Sequence, residues 1–216
     1  MIKFLKKKTS ANPYSNKSDA ELLEINRTKC SWPNTYYGNI DTLARLISAK
    51  NLLEIGVAYG YHAEHLLRNL PTVKYTGIDP YIANYDLNDS FSQDVSELFN
   101  STPQDSMNRL YLAVNNNLIH TYPDRAKILR VKSLDVKISQ NYDLIFLDGD
   151  HRYENVVQEL TKFFPLIRRG GILAGDDYTW PGVKKAVDEF SKSKSLAVHF
   201  ISRVSEGYPT YFIVKP

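Results

Sequence analysis

Between residues 52 and 190, short apolar runs of strand length alternate with segments whose apolar residues recur at helical spacing. That alternation leaves few folds open to the chain. The strand-like runs are 52–55, 73–78, 126–131, 142–147 and 171–174. The helical segments carry Ala63, Leu66 and Leu67 in 60–70, then Val156, Val157, Leu160, Phe164 and Ile167, then Val183, Ala186, Val187 and Phe190. Pro181 suits the first turn of the last of these helices. Strands separated by helices call for a mainly parallel sheet covered on both faces. Two β-rich runs, 196–201 and 210–214, close the chain around a loop with Gly207 and Pro209. With no helix between them they read as a hairpin, which adds one antiparallel strand. The expectation is an α/β fold: a doubly wound, mostly parallel seven-stranded sheet with helices on both faces and a C-terminal antiparallel β-hairpin.

Three stretches stand outside the alternation. Residues 1–16 are polar and aperiodic and read as partly disordered. Ser18 opens a helical pattern with Leu22, Leu23 and Ile25, and Trp32, Pro33, Tyr36 and Tyr37 form an aromatic loop. Asp41 is placed to cap a helix with Leu43, Leu46 and Ile47. The expected division is an N-terminal extension over 1–38 and one domain over 39–216. Within that domain, 81–124 joins a polar loop (Asn84, Asp86, Asn88, Asp89) to a helical pattern through Met107, Leu110, Tyr111, Val114 and Leu118. It reads as an insert that covers a substrate, with surface decoration as the alternative.

Bulk properties exclude several classes. The chain has 216 residues and a net charge of +3. Much of the excess sits in Lys3, Lys6, Lys7 and Lys8, a solvated end with no wider basic stripe behind it, which argues against a nucleic-acid partner. The single cysteine, Cys30, permits no internal disulfide, and no Cys/His zinc pattern exists. The first residues lack the apolar stretch of a signal peptide, and no run reaches membrane-spanning length. A cytoplasmic protein without a membrane partner is the expectation. A homo-oligomer stays open.

Acidic and glycine residues recur where the strands end. In open α/β sheets ligands bind beyond the carboxyl ends of strands, so these residues should share one crevice. Glu54, Gly56 and Gly60, with Tyr59 in the same turn, sit between the first strand and its helix. Glycine there permits positive φ and close approach of backbone to a ligand. The spacing differs from the pyrophosphate-binding turn. The acidic residue before it suits a cationic ligand. Asp79 ends the second strand, where a carboxylate can accept ribose hydroxyls. Ser133, past the third strand, is a candidate for the adenine region, with an ordinary turn serine as the equal alternative. Asp148 ends the fourth strand, and Asp176 and Asp177 end the fifth. Neighbouring strand ends lie roughly 5 Å apart. Carboxylates that close repel unless a cation lies among them, and oxygen ligands favour Mg²⁺, Mn²⁺ or Ca²⁺. Asp150 reads instead as a cap of the next helix. His151, on the loop three residues past Asp148, is placed to reach a metal-held hydroxyl and act as a base, with a solvent-exposed loop histidine as the alternative.

These residues resemble the class I S-adenosylmethionine-dependent methyltransferases from about residue 40 onward, a Rossmann-like group. Glu54, Gly56 and Gly60 match the family's first motif, and Asp79 its ribose-binding acid. Leu147-Asp148 and Gly175-Asp176-Asp177 are similar to the metal-binding positions of the Mg²⁺-dependent small-molecule O-methyltransferases, both catechol and macrolide-sugar enzymes. Aspartate at 177 and histidine at 151 resemble the sugar-modifying group more than the catechol group. The resemblance implies S-adenosylmethionine as cofactor and methyl transfer to a hydroxyl of a small molecule, sugar or polyol before phenol. It implies Glu54, Gly56, Tyr59, Gly60, Asp79, Ser133 and Asp148 at the cofactor, Asp148, Asp176 and Asp177 at the metal, and Asp148 with His151 as the catalytic pair. The competing readings are a nucleic-acid methyltransferase, an NAD-dependent oxidoreductase disfavoured by the glycine spacing, and a non-catalytic cofactor-binding subunit.

Overall fold

The computed structural model describes residues 16–29, 37–85, 90–201 and 209–216. The readings on residues 1–15, including the basic run Lys3 to Lys8, and on Cys30, Trp32, Pro33, Tyr36, Asp86, Asn88, Asp89 and Gly207 lie outside the described residues.

Seven strands form one sheet: β1 (Asn51–Ile55), β2 (Lys74–Ile78), β3 (Ala126–Leu129), β4 (Tyr142–Leu147), β5 (Ile167–Gly175), β6 (His199–Ile201) and β7 (Thr210–Val214), in the order β3-β2-β1-β4-β5-β7-β6. Strands β1 to β5 pair in parallel, and β7 runs antiparallel to both β5 and β6. The helices are α1 (Asp19–Lys29), α2 (Tyr37–Leu46), α3 (Tyr61–Asn69), α4 (Phe91–Phe99), α5 (Pro103–Thr121), α6 (Tyr153–Phe163) and α7 (Pro181–Ser193). The expected doubly wound sheet with its closing hairpin is present.

Strand periodicity divides the core in two. Leu52, Leu144, Phe146 and Ala174 pack with the side chains of α1 to α5, while Leu53, Ile145, Leu147 and Leu173 pack with α6 and α7. Each of the buried Leu, Ile and Phe side chains among these stabilises the fold by roughly 1.5–3 kcal/mol. With both faces covered, neither can serve a ligand, and function is left to the loops at the strand ends.

Four local expectations are corrected. Helix α2 begins at Tyr37, not after Asp41, because Tyr37, Ile40, Leu43 and Ala44 make a continuous buried stripe. Asp41 sits inside that helix and pairs with Arg45 one turn on, at 2.9 Å. Helix α6 stops at Phe163, so Phe164 and Ile167 lie beyond it. Pro165 has no N–H to continue the helical ladder, so Phe164–Leu166 tighten into a single 3-10 turn, and Ile167 starts β5. Strand β6 begins at His199, not Leu196, whose N–H still donates to the Ser191 carbonyl at the end of α7. Helix α4 was not anticipated, although Phe91, Val95 and Phe99 have helical spacing.

The order reverses direction between β1 and β4, which run side by side with Ile55 opposite Leu147. Such a switch point opens a crevice beyond the strand ends.

Candidate active site

Each strand-end residue is fixed by a backbone bond to the strand beside it. The N–H of Gly56 donates to Ile78 (2.9 Å), that of Asp79 to Leu129 (3.2 Å), that of Asp148 to Ile55 (2.8 Å) and that of Asp176 to Leu147 (3.3 Å). The ladder of the sheet thus sets these residues at one height around the switch point.

Glycine is required at 56. Its φ is +88°, and a Cβ there would collide with the carbonyl of Asp148. The β1 turn and the β4 loop touch through backbone, so nothing bulkier fits between them. Gly60 (φ +71°) has a different role. A Cβ on it would lie 2.6 Å from Val114 of α5, and Gly60 does not line the main cavity.

Asp79 ties the β1 turn to the end of β2. Its Oδ2 accepts the N–H groups of Val57 and Ala58, each at 3.0 Å, and its Oδ1 accepts the N–H of Tyr81 at 2.8 Å. Tyr81 returns the contact, its hydroxyl donating to the Ala58 carbonyl at 3.1 Å. Ala58 and Tyr81 hold left-handed backbone (φ +49° and +47°), a strain these bonds sustain. Burial raises the Asp79 carboxyl above its ordinary range, and the three backbone donors oppose that rise. One acceptor position of the carboxylate remains for a ligand.

A cavity of about 580 Å³ lies over the switch point. It is lined by Glu54, Gly56, Tyr59, Asp79, Ser133, Asp148, His151, Asp176 and Asp177, which brings together every expected site residue except Gly60. Ile82, Tyr85, Phe91, Asp94 and Met107 of segment 81–124 form one wall. Among the described residues the lining contains no Lys or Arg. The resulting potential favours a cationic ligand.

Glu54 is more enclosed than its place in the motif suggests. Its Oε1 lies 2.6 Å from His62 Nδ1, and its Oε2 accepts the hydroxyl of Tyr75. Burial beside this carboxylate pushes the Tyr75 phenol well above its usual range. Ser133 donates to Glu159 at 2.5 Å, and burial pushes the Glu159 carboxyl up to about 7.

On the other side, ligand atoms of Asp148, His151 and Asp177 lie within 4.8 Å of one another. Asp176 lines the cavity but is not in that group. His151 Nε2 is 2.8 Å from Asp177 Oδ2, and the His151 ring lies against Trp180 with centroids 4.5 Å apart. Asp177 has φ +56° and starts a turn in which its carbonyl accepts the Trp180 N–H at 2.8 Å. That turn leads into α7, where Pro181 fixes the first helical φ. Asp150 points away from this group. It accepts the Arg152 N–H at 2.8 Å and the Asn155 amide at 2.6 Å, and so ties the loop to the start of α6. Burial would raise its carboxyl, but the Arg152 and Asn155 bonds outweigh that and hold it below the ordinary range.

His62, Glu159 and Trp180 were not among the expected site residues. Glu159 carries a readable signal: a charged residue within the buried stripe Val156, Glu159, Leu160, Phe163 of α6. His62 follows the glycine motif by two residues. Among the described residues, no helix is long and apolar enough to cross a membrane.

Residues 53–178 match a family described as a methyltransferase domain. The Tapetum-specific methyltransferase 1 of Arabidopsis thaliana is 30% identical over 146 residues, 66% of this chain and 53% of that protein, so the match spans about half the length of this relative. Among solved structures, a Staphylococcus aureus protein provisionally assigned as a caffeoyl-CoA O-methyltransferase superposes with a TM-score of 0.61 at 16% identity, over 93% of this chain and 94% of that one. A Podospora anserina methyltransferase with S-adenosylhomocysteine bound gives 0.59 at 16% identity, over 92% and 88%. At these identities the structures speak for a shared fold.

Proposed function

The chain belongs to the methyltransferase domain family, and from that premise we propose that it transfers the methyl group of S-adenosylmethionine to a hydroxyl of a small molecule, with a divalent cation beside the acceptor. Sugar or polyol acceptors are favoured over phenols, because Asp177 and His151 stand where sugar-modifying enzymes carry the same residue types. The observation that carries the reading is the convergence of Asp148, His151 and Asp177 within 4.8 Å in the cavity that also holds Gly56 and Asp79.

The residues fit both ligands. Asp79 and the turn it ties would hold the ribose, and the acidic lining suits the ammonium and sulfonium groups. Glu54, already bonded by His62 and Tyr75, contributes charge to that environment. Asp148 and Asp177 would hold Mg²⁺, Mn²⁺ or Ca²⁺, with Asp176 beside them, since the spread of ligand atoms is one that a single ion can span. A bound divalent cation lowers the pKa of a hydroxyl next to it.

His151 is the group that would remove the proton. Contact with the tilted Trp180 ring, 33° from its plane, restricts the His151 ring, and the Asp177 contact restricts its rotation. Ile82, Tyr85 and Phe91 would cover the nucleoside side, since all three line the cavity. Holding oxygen, methyl carbon and sulfur in line supplies much of the rate gain in such a displacement.

The test is calorimetric titration of S-adenosylhomocysteine, with and without Mg²⁺, on wild type, Asp79→Ala and Asp177→Asn. Micromolar binding lost in Asp79→Ala, and a Mg²⁺ effect lost in Asp177→Asn, support the reading and open a screen of sugar acceptors. No binding to wild type under either condition overturns it.

A further inference from the structure

Of the acids that line the cavity, Asp94 and Glu159 take no part in the proposed chemistry, and of these two only Glu159 is buried. Glu159 lies in the second turn of α6 within an apolar stripe, and it is only 3% exposed. A carboxyl group there has a burial cost that an apolar side chain would avoid. Its local partner is Ser133, whose hydroxyl donates to Oε1 at 2.5 Å. One such bond leaves the carboxyl with further acceptor capacity, and both Ser133 and Glu159 line the nucleoside cavity.

The position of this pair in the fold limits what it can meet. Asp79 ends β2, and Ser133 follows β3, the next strand outward from the switch point. Asp148, His151 and Asp177 occupy the ends of β4 and β5 on the other side. A nucleoside with its ribose at Asp79 and its methyl donor toward Asp148 must place its base on the β3 side. Pro80 and Ile82 offer apolar contact there, and Ser133 and Glu159 offer polar contact.

We infer that Glu159, held by Ser133, reads the amino edge of the adenine base and makes the site selective for adenine over its deaminated form. The inference rests on the nucleoside reading of the cavity. Adenine presents an exocyclic amino group, a donor that a carboxyl oxygen accepts. Hypoxanthine presents a carbonyl oxygen at the same point, so two acceptors would face each other. A buried acceptor that meets an acceptor loses more than the bond itself, because neither group can recover its water.

The experiment compares, at pH 8, where the Glu159 carboxyl is ionised, dissociation constants of S-adenosylhomocysteine and S-inosylhomocysteine on wild type, Glu159→Gln and Ser133→Ala. Wild type should favour the adenine compound by at least about tenfold, the scale of one bond to a charged group. The amide of Glu159→Gln can turn its NH₂ toward the hypoxanthine oxygen, so the preference should fall to within about threefold of unity. Ser133→Ala keeps the carboxyl but frees it to rotate, and should give an intermediate ratio. An unchanged ratio in Glu159→Gln overturns the inference while S-adenosylhomocysteine still binds, and a lowered kcat at that unchanged ratio would make Glu159 a support for the His151 loop. Equal binding of the two compounds to wild type overturns it as well. Failure of wild type to bind either compound overturns the nucleoside reading and this inference together.

Discussion

His62 Nδ1 lies 2.6 Å from Glu54 Oε1 beneath the cavity, with both side chains 3% exposed or less. Tyr37 stacks on the His62 ring at 4.7 Å and Phe146 meets it edge-on at 5.2 Å, so water has little access to the pair. Removing one member of such a pair leaves the other buried without its counterpart. We expect His62→Leu to destabilise the fold by about 3 kcal/mol in urea unfolding. Adding Glu54→Gln should restore part of the loss, and strictly additive costs in the double variant would refute the coupling.

Gly56→Ala should be costly on two counts. It forces a side chain into left-handed backbone and drives a Cβ against the Asp148 carbonyl. A loss of roughly 2–3 kcal/mol, or about 5–10 °C in Tm for a chain of this size, is the expected scale. S-adenosylhomocysteine binding should weaken with it, because the Asp148 loop must move. A variant with wild-type Tm and binding would show that the contact yields easily.

Asp79→Asn separates the proposed ribose role of Asp79 from its role in the turn. An amide oxygen can keep part of the bonding to Val57, Ala58 and Tyr81, but its NH₂ group would face donors. Stability should fall by about 1–3 kcal/mol, and binding of S-adenosylhomocysteine by at least about tenfold. Differential scanning fluorimetry and calorimetry on the same samples decide how much of the binding loss follows unfolding.

Asp177 requires a residue that accepts φ +56°. Asparagine does so with little strain, whereas alanine does not. Asp177→Asn should keep the Tm of wild type and weaken Mg²⁺ by about 10–100-fold. Asp177→Ala should lose both Mg²⁺ and stability. Equal Mg²⁺ affinity in wild type and Asp177→Asn would remove Asp177 from the metal site.

Glu159 predicts a pH dependence with a definite sign. Burial pushes its carboxyl from an ordinary value of 4.5 to about 7. Between those values the folded protein keeps a proton that the unfolded chain releases. The group's favourable contribution is therefore complete below pH ~4.5, declines as pH rises, and is gone above about 7, a change on the order of 3 kcal/mol. Glu159→Gln cannot ionise, so its stability relative to wild type should improve between pH 5 and pH 8. Urea unfolding at both values measures this, and a pH-independent difference would contradict it.

The layers and the switch point were legible because apolar period and strand-end chemistry are both local signals. Leu52, Leu144 and Phe146 on one face, and Leu53, Ile145 and Leu147 on the other, follow from a period of two residues. The meeting of Gly56, Asp79, Asp148 and Asp177 follows from parallel strands of matched register. Partner choice was not legible. That Glu54 pairs with His62 and Tyr75, or that Gly60 faces Val114, depends on how helices lie across the sheet, which no short window of sequence encodes. Helix α4 was overlooked because the polar residues before it masked the spacing of Phe91, Val95 and Phe99.

Strand β7 bears on the chemistry despite contributing no expected ligand. Gly175, directly before Asp176 and Asp177, pairs with Tyr211 of β7, and the Tyr211 ring fills the space where a Cβ on Gly175 would lie. The tail of the chain is thus a levelling surface for carboxylates some 35 residues upstream in sequence, by the numbering of Asp176 and Tyr211. Trimming from Thr210 onward would spare every proposed ligand and still tilt the floor on which two of them stand. Such a protein would resemble an active-site mutant with an intact active-site sequence.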